Sequence, residues 1–162
     1  MSSQAPMLLL DTNVWLDNYD GARRAQGHSG ELIDRACAGG AELLYAVSSM
    51  KDVYYLVASQ MKARAREASG ALTQDDAAVA EMYARSCVDN MGELGTAVAV
   101  DQADVWLAQK FQRIHPDFED CLVMAAAQRA GADYVVTSDE RFLRQSAVPT
   151  LSPKEALALM EP

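Results

Sequence analysis

The chain has 162 residues, of which 50% are hydrophobic and 23% are charged, an ordinary composition for one globular domain. Lysine and arginine total 14 against 23 aspartate and glutamate, so the net charge is −9. This charge excludes a small nucleic-acid binder that is coated in positive charge. It does not exclude an enzyme that reaches nucleic acid through metal ions.

The cysteine pattern and the lengths of the apolar runs indicate the cellular compartment. Cys37, Cys87 and Cys121 are far apart and include no CxxC pair, and only His28 and His115 could join them. We therefore expect neither a disulfide framework nor a structural zinc site. No apolar run is long enough for a signal peptide or a membrane span, so the sequence predicts a soluble, cytoplasmic protein with no membrane partner.

Strand and helix signals alternate along the chain. The run Met7–Leu10 is apolar throughout, which is typical of a parallel strand that is buried on both faces. Similar short runs predict four more strands, the last of them weak: Leu43–Val47, Thr96–Val100, Tyr134–Thr137 and Val148–Leu151.

Helical spacing and capping residues fill the intervals between these strands. The predicted helices are 14–19, 22–38, one capped by Ser48 or Ser49, one from the Thr73 capping box to about 91, one capped by Asp101, 118–130, and one capped by Ser152. The helix 118–130 is apolar nearly all round, so we expect it to be central. The alternation predicts a three-layer α/β fold, with a central parallel sheet of about five strands flanked by helices. We expect a single domain over 1–162, with 1–5 as a loose tail.

Four acidic residues fall where such a fold would bring them together. Asp11 directly follows the first strand and Asp139 follows the fourth by one residue. Asp120 lies in the first turn of the apolar helix, and Asp52 lies early in the helix after the second strand. Ligands of open parallel sheets bind outside the carboxyl ends of the strands, so all four acids could face one cleft.

A cluster of this kind requires a counter-charge. Two like charges about 4 Å apart repel by roughly 4 kcal/mol at an effective dielectric near 20. A divalent cation removes that repulsion, and oxygen ligands without histidine or cysteine favour Mg²⁺ or Mn²⁺. Such an ion can activate water and orient a phosphodiester, which is chemistry that needs few basic side chains.

Four sequence motifs together resemble those of a known protein family. The opening LLLDTNV (8–14), the segment DFEDCL (117–122), the stretch GADYVVTSD (131–139) and the ending VPTLSP (148–153) resemble, in order, the motifs of PIN-domain proteins. That family comprises small metal-dependent ribonucleases, many of them toxins of bacterial toxin–antitoxin pairs. The resemblance spans about residues 7–160.

The resemblance implies an acidic site that holds Mg²⁺ or Mn²⁺ and hydrolyses RNA. By position, Asp11 and Asp120 match metal ligands, Asp139 matches an Asp or Asn position, and Asp52 stands near a position that is Glu in many members. Asn13 and Thr137 would aim the carboxylates by hydrogen bonds. Ser138 departs from the family, because many members have arginine there. An antitoxin partner is implied, and a homodimer is a further expectation.

Each acidic residue also has a purely structural interpretation. Asp11 and Asp139 could only cap helices, Asp120 could only pair with a cap at Asp117, and Asp52 could only complement a helix dipole. Glu119 is expected to point away from Asp120, since adjacent helix positions do not share a face. The remaining candidates are assigned structural roles, as surface histidines (His28, His115), a solvated helix end (Lys62, Arg64, Arg66), and core or dimer packing (Trp15, Tyr54, Tyr55, Trp106).

Two other functions remain open. The chain could be a regulatory protein of the same fold whose acidic groove docks a basic partner segment. It could also transfer phosphoryl groups through an aspartyl phosphate, but haloacid-dehalogenase-like enzymes have a second aspartate where this chain has Asn13.

Overall fold

The computed structural model describes residues 5–160, so the predicted tail lies outside the described residues except for Ala5. The predicted α/β architecture is confirmed. The strands are Met7–Leu10 (β1), Glu42–Ala46 (β2), Thr96–Val98 (β3), Tyr134–Val136 (β4) and Thr150–Leu151 (β5). The helices are Thr12–Tyr19 (α1), Gly21–Gln26 (α2), Ser29–Arg35 (α3), Val47–Ser69 (α4), Gln74–Leu94 (α5), Gln102–Phe111 (α6), Phe118–Ala130 (α7), Glu140–Arg144 (α8) and Pro153–Leu159 (α9).

The sheet is parallel throughout, in the order β3-β2-β1-β4-β5. The chain therefore builds outward from β1 to β3 and then returns to the other side of β1 as β4. This reversal makes the gap between β1 and β4 the topological switch point, where open α/β sheets bind ligands. Leu10 pairs with Val136, so Asp11 and Thr137 leave neighbouring strands at the same level.

Alternate side chains of the sheet pack against helices on its two opposite faces. Leu8 and Leu10 of β1 point into a core shared with α1, α3, α4, α5 and α9. Leu9 points to the opposite face, where it packs with α7 and with Phe142 of α8. The predicted central position of α7 is confirmed, because its other side packs against Ala108 of α6.

Three helix boundaries differ from the predictions. The single helix predicted over 22–38 is interrupted at Gly27, which ends α2 in an extended conformation, before α3 begins at Ser29. A π-turn, Ala36–Gly40, follows α3 and contains Gly39 at φ 96°, a conformation that favours glycine. Neither Ser48 nor Ser49 caps α4, because the helix begins at Val47 and Ser49 is buried.

Three of the helix starts predicted from capping residues are confirmed. The capping boxes at Thr73, Asp101 and Ser152 are all formed, each with an acidic side chain three residues later. Across residues 5–160, none of the helices combines the length and apolar character that crossing a bilayer requires.

Candidate functional site

A cleft of about 460 Å³ opens at the carboxyl edge of the sheet. It lies between the start of α1, the first half of α4 and the N-terminus of α7. Its lining residues are Asp11, Thr12, Asn13, Leu16, Asp52, Tyr55, Leu56, Glu119 and Asp120. The fold thus brings three of the four predicted ligands, Asp11, Asp52 and Asp120, to one cavity.

Asp11 is the most rigidly held of these acids. It is the N-cap of α1, and its Oδ1 accepts a hydrogen bond of 2.8 Å from the backbone N–H of Thr12. Its Oδ2 accepts bonds of 2.8 Å from Asn13 Nδ2 and from Thr137 Oγ1. Only 7% of the residue is exposed. Burial raises the pKa of Asp11, and the hydrogen bonds from Thr137 and Thr12 oppose that rise only in part.

Asn13 and Thr137 tie the start of α1 to the end of β4. Besides bonding Asp11, Asn13 donates to Thr137 Oγ1 at 3.1 Å and accepts from the backbone N–H of Ser138 at 2.9 Å. Thr137, which is fully buried, also accepts from the backbone N–H of Asp139 at 3.1 Å. These bonds fix the orientation of the Asp11 carboxylate.

Asp120 faces the cleft from the first turn of α7, and its charge is poorly compensated. Burial raises its pKa to about 7, assisted by the negative charges of Asp11, Asp117 and Asp139. Its Oδ2 lies 3.4 Å from Nε2 of His115. His115 was predicted to be a surface residue, and that prediction is wrong, because only 1% of it is exposed. Its ring packs beside Phe142 beneath the N-terminus of α7.

Glu119 was missed by the sequence argument. Although its side chain leaves α7 about 100° away from that of Asp120, it lines the same cleft, which crosses the first turn of the helix. A hydrogen bond between Glu119 and Asp52 raises the pKa of Glu119 to about 7, together with burial and the charge of Asp52. The opposite wall could have been foreseen only by knowing that α4 packs across from this turn.

Asp52 is shared between two partners. It faces Glu119 across the cleft, and its Oδ1 also lies 3.2 Å from Nζ of Lys51. Two apolar side chains, Leu16 and Leu56, line the cleft beside it, together with the exposed ring of Tyr55. Of the four aromatic residues predicted to pack, Trp15 lies in the core, whereas Tyr55 and Trp106 are exposed.

Asp139 lies at the margin of the site. Its exposed side chain caps α8, accepting from the backbone N–H groups of Arg141 at 2.7 Å and Phe142 at 2.9 Å. It does not line the cleft. Its negative charge still contributes to the raised pKa values of Asp11 and Asp120, so it belongs to the same electrostatic cluster.

The donor chemistry of the cleft fits a hard divalent cation. Within residues 5–160, no three carboxylate, imidazole or thiol side chains are already gathered closely enough to form a cation-holding group. The cleft nevertheless places Asp11, Asp52, Glu119 and Asp120 along one cavity, and Asp120 and Glu119 both have pKa values near 7. Carboxylates that repel one another in this way are the ligands that Mg²⁺ and Mn²⁺ prefer.

Comparisons with known proteins agree with this topology. The model of a family described as PIN domain matches residues 7–141. No curated protein is close enough in sequence to be matched.

Solved structures share the fold at low sequence identity. Similar structures include VapBC2 from Rickettsia felis bound to a DNA fragment from its promoter, with 10% identity, a TM-score of 0.63, and coverage of 90% of this chain and 98% of that one. A toxin–antitoxin complex from Klebsiella pneumoniae has 13% identity, a TM-score of 0.59, and coverage of 90% and 97%. PAE2754 from Pyrobaculum aerophilum has 12% identity, a TM-score of 0.53, and covers 98% of each chain.

Proposed function

The chain belongs to the PIN domain family, and from this premise we propose that it is an endoribonuclease that depends on Mg²⁺ or Mn²⁺. The observation that supports the proposal best is the convergence of Asp11, Asp52, Glu119 and Asp120 on one cleft at the switch point of the sheet. An acidic cavity repels RNA unless cations neutralise it, so a metal ion would provide both the affinity and the chemistry.

Asp11, Asp52 and Asp120 would hold the ion, with Asp139 at the margin. When bound, the ion supplies activation of a water molecule and stabilisation of charge on the phosphate oxygens. Asp11 presents a carboxylate that Thr12, Asn13 and Thr137 hold in one orientation. Glu119 shares a hydrogen bond with Asp52 and has a pKa near 7, so its carboxyl can take up or release a proton at neutral pH.

We also propose that the protein is the toxin of a toxin–antitoxin pair. Support comes from two solved structures with the same fold, VapBC2 from Rickettsia felis and a toxin–antitoxin complex from Klebsiella pneumoniae. A basic segment of an inhibitory partner would complement the negative charge of the cleft. The exposed apolar side chains of α4 and α5 (Leu56, Val79, Met82 and Tyr83) would suit either an antitoxin or a second copy of the chain.

The test is cleavage of a single-stranded RNA by the purified protein with Mn²⁺ or Mg²⁺. We expect Asp11→Asn and Asp120→Asn each to lower the rate by at least about a hundredfold, because each removes a charged ligand. Asp89→Asn removes an exposed charge on α5 and serves as the matched control. Equal cleavage by wild type and both cleft variants would exclude the proposal, as would full activity in excess EDTA.

The same preparations separate the ribonuclease from a docking protein. A divalent ion that binds the folded state raises the melting temperature as its concentration rises. A protein whose cleft docks a partner's arginine or lysine would show no such rise at millimolar Mn²⁺ and no hydrolysis. Stabilisation by Mn²⁺ that is lost in Asp120→Asn supports the nuclease.

A further inference from the structure

His115 is a buried polar residue whose position the proposed chemistry has not used. It immediately precedes the Pro116-Asp117 start of α7, and it is held there by its backbone. Its N–H donates to Phe111 O at 2.9 Å, and its carbonyl accepts a bond from Cys121 Sγ at 3.3 Å. The imidazole therefore has a fixed place under the first turn of α7.

The hydrogen bonding of the ring assigns its tautomer. Nδ1 accepts a hydrogen bond of 3.2 Å from the backbone N–H of Asp117, so Nδ1 carries no proton in this arrangement. The ring proton of the neutral imidazole must then lie on Nε2. Nε2 is buried and has no hydrogen-bond partner among the described residues 5–160. A buried N–H donor without a partner is costly, so this one is expected to serve a group that it faces.

The group that Nε2 faces is the carboxylate of Asp120. The distance from Nε2 to Oδ2 is 3.4 Å, and a hydrogen bond between them requires a shorter and straighter approach of the half-buried Asp120 carboxylate. The chain from the Asp117 N–H through the imidazole to Asp120 resembles the arrangement by which outer groups orient metal ligands. Hydrogen bonds at such sites are often long until the ligand is bound.

We propose that His115 is a positioning residue, which donates from Nε2 to Oδ2 of Asp120 and sets which carboxylate oxygen faces the divalent cation. This inference rests on the proposed function, since it assigns Asp120 to the ion. His115 itself lies behind the carboxylate and does not line the cleft.

Two substitutions separate this role from simple support of the helix start. His115→Asn keeps an acceptor near the Nδ1 position for the Asp117 N–H but loses the donor toward Asp120. His115→Gln keeps a donor near the Nε2 position but loses that acceptor. If His115 only supports the helix, Asn will replace it better; if it positions Asp120, Gln will.

The experiment is Mn²⁺ binding by isothermal titration calorimetry, with melting temperatures of the metal-free proteins measured alongside. We expect His115→Asn to bind Mn²⁺ about ten- to a hundredfold more weakly than wild type, and His115→Gln to recover most of that affinity. Wild-type Mn²⁺ affinity in His115→Asn would overturn the inference, as would better recovery by Asn than by Gln.

A measurement on the wild type keeps the test valid if a variant does not fold. Nitrogen-15 NMR of the histidine rings reports the tautomer directly. We expect the Nε2–H form of His115, with its Nε2 resonance moved by Mg²⁺; the Nδ1–H form or an unmoved resonance would overturn the inference. Failure of the proposed function looks different, because Asp120→Asn would then bind Mn²⁺ as tightly as the wild type.

Discussion

Asp11 and Asp120 show how one cluster treats two carboxylates differently. Asp11 accepts three hydrogen bonds of 2.8 Å, which offset part of the cost of burying its charge. Asp120 has the more distant His115 beside it in place of such bonds, and its pKa rises to about 7. Without a cation, Asp120 is therefore the least compensated carboxylate of the site. Its ionisation should lower the free energy of unfolding.

We expect Asp120→Asn to stabilise the metal-free protein while abolishing activity. A carboxyl whose pKa is raised from 3.8 to about 7 contributes stability that is complete below pH 4 and is lost as the pH rises through 7. Asparagine mimics the protonated form, so at pH 8 the free energy of unfolding should increase by about 1–3 kcal/mol, discounted for partial exposure. Denaturant unfolding in EDTA measures this.

The pH provides the control for that prediction. Below about pH 4 the wild-type carboxyl is protonated in both the folded and the unfolded protein, so at pH 3.5 the two proteins should unfold at nearly the same denaturant concentration. Asp89→Asn, which removes an exposed charge away from the cleft, should match the wild type at pH 8 within about 0.5 kcal/mol. An Asp120→Asn protein that is less stable than the wild type at pH 8 would contradict the argument.

At the scale of elements, α7 carries the site and is anchored at its far end. Arg129, in its last turn, donates to both oxygens of Asp104 at 2.9 Å and also to the carbonyl of Ala99. Asp104 is 1% exposed and is the capping-box partner of Asp101 in α6. The Arg129 bridge therefore locks α7 to α6 and to the end of β3.

We expect Arg129→Met to destabilise the fold by about 1–3 kcal/mol, because it leaves the Asp104 charge buried without its partner. Burial opposes ionisation of Asp104, but the Arg129 and Asp101 hydrogen bonds together with the Arg129 charge hold its pKa below the usual value. A lowered pKa contributes stability above about pH 4, and that contribution is lost on acidification. Thermal unfolding at pH 7 and pH 3.5 should show the difference shrink.

The matched control is Arg129→Met combined with Asp104→Asn. The neutral amide keeps an oxygen for the Asp101 N–H and removes the stranded charge. We expect it to recover part of the lost stability, whereas a double variant that is less stable than Arg129→Met would contradict the ion-pair explanation.

At the scale of the whole molecule, the excess of negative charge has two sources. Four of the nine excess charges belong to the proposed ligands Asp11, Asp52, Asp120 and Asp139. Many cations are already used within the fold. In the densest basic stretch, Lys62 pairs with Glu81 at 2.7 Å and Arg64 pairs with Asp20 at 2.5 Å. The expectation that this stretch is a solvated helix end rather than an RNA groove is consistent with those pairs.

RNA binding should therefore depend only weakly on monovalent salt. Each phosphate neutralised by a protein cation contributes about −0.7 to the slope of log K against log salt for single strands. With Mn²⁺ held constant, we expect a slope shallower than about −2, measured by fluorescence anisotropy of a non-hydrolysable RNA analogue on the wild-type protein. A steep slope would contradict this expectation, because it would show that RNA phosphates contact a rim of protein cations that the ion pairs leave free.

The fold was largely predictable because its signals are local. Apolar runs marked the strands, and the reciprocal caps at Thr73, Asp101 and Ser152 marked helix starts. The failures were also local. Gly27 interrupts the predicted helix over 22–38. Ser48 and Ser49 do not cap α4, because the helix already begins at Val47 with Ala46 at the capping position, although Asp52 stands three residues after Ser49.

The sequence by itself determined the α/β class and the four candidate acids. Hydrophobic periodicity, capping residues and the positions that follow strands can all be identified from residues that are neighbours in sequence. Only the tertiary structure decided which side chains share a cleft. It added Glu119 from the first turn of α7, placed His115 behind Asp120, and turned Asp139 toward the start of α8. Those outcomes depend on how helices pack across the sheet, and packing joins residues that no spacing along the chain connects.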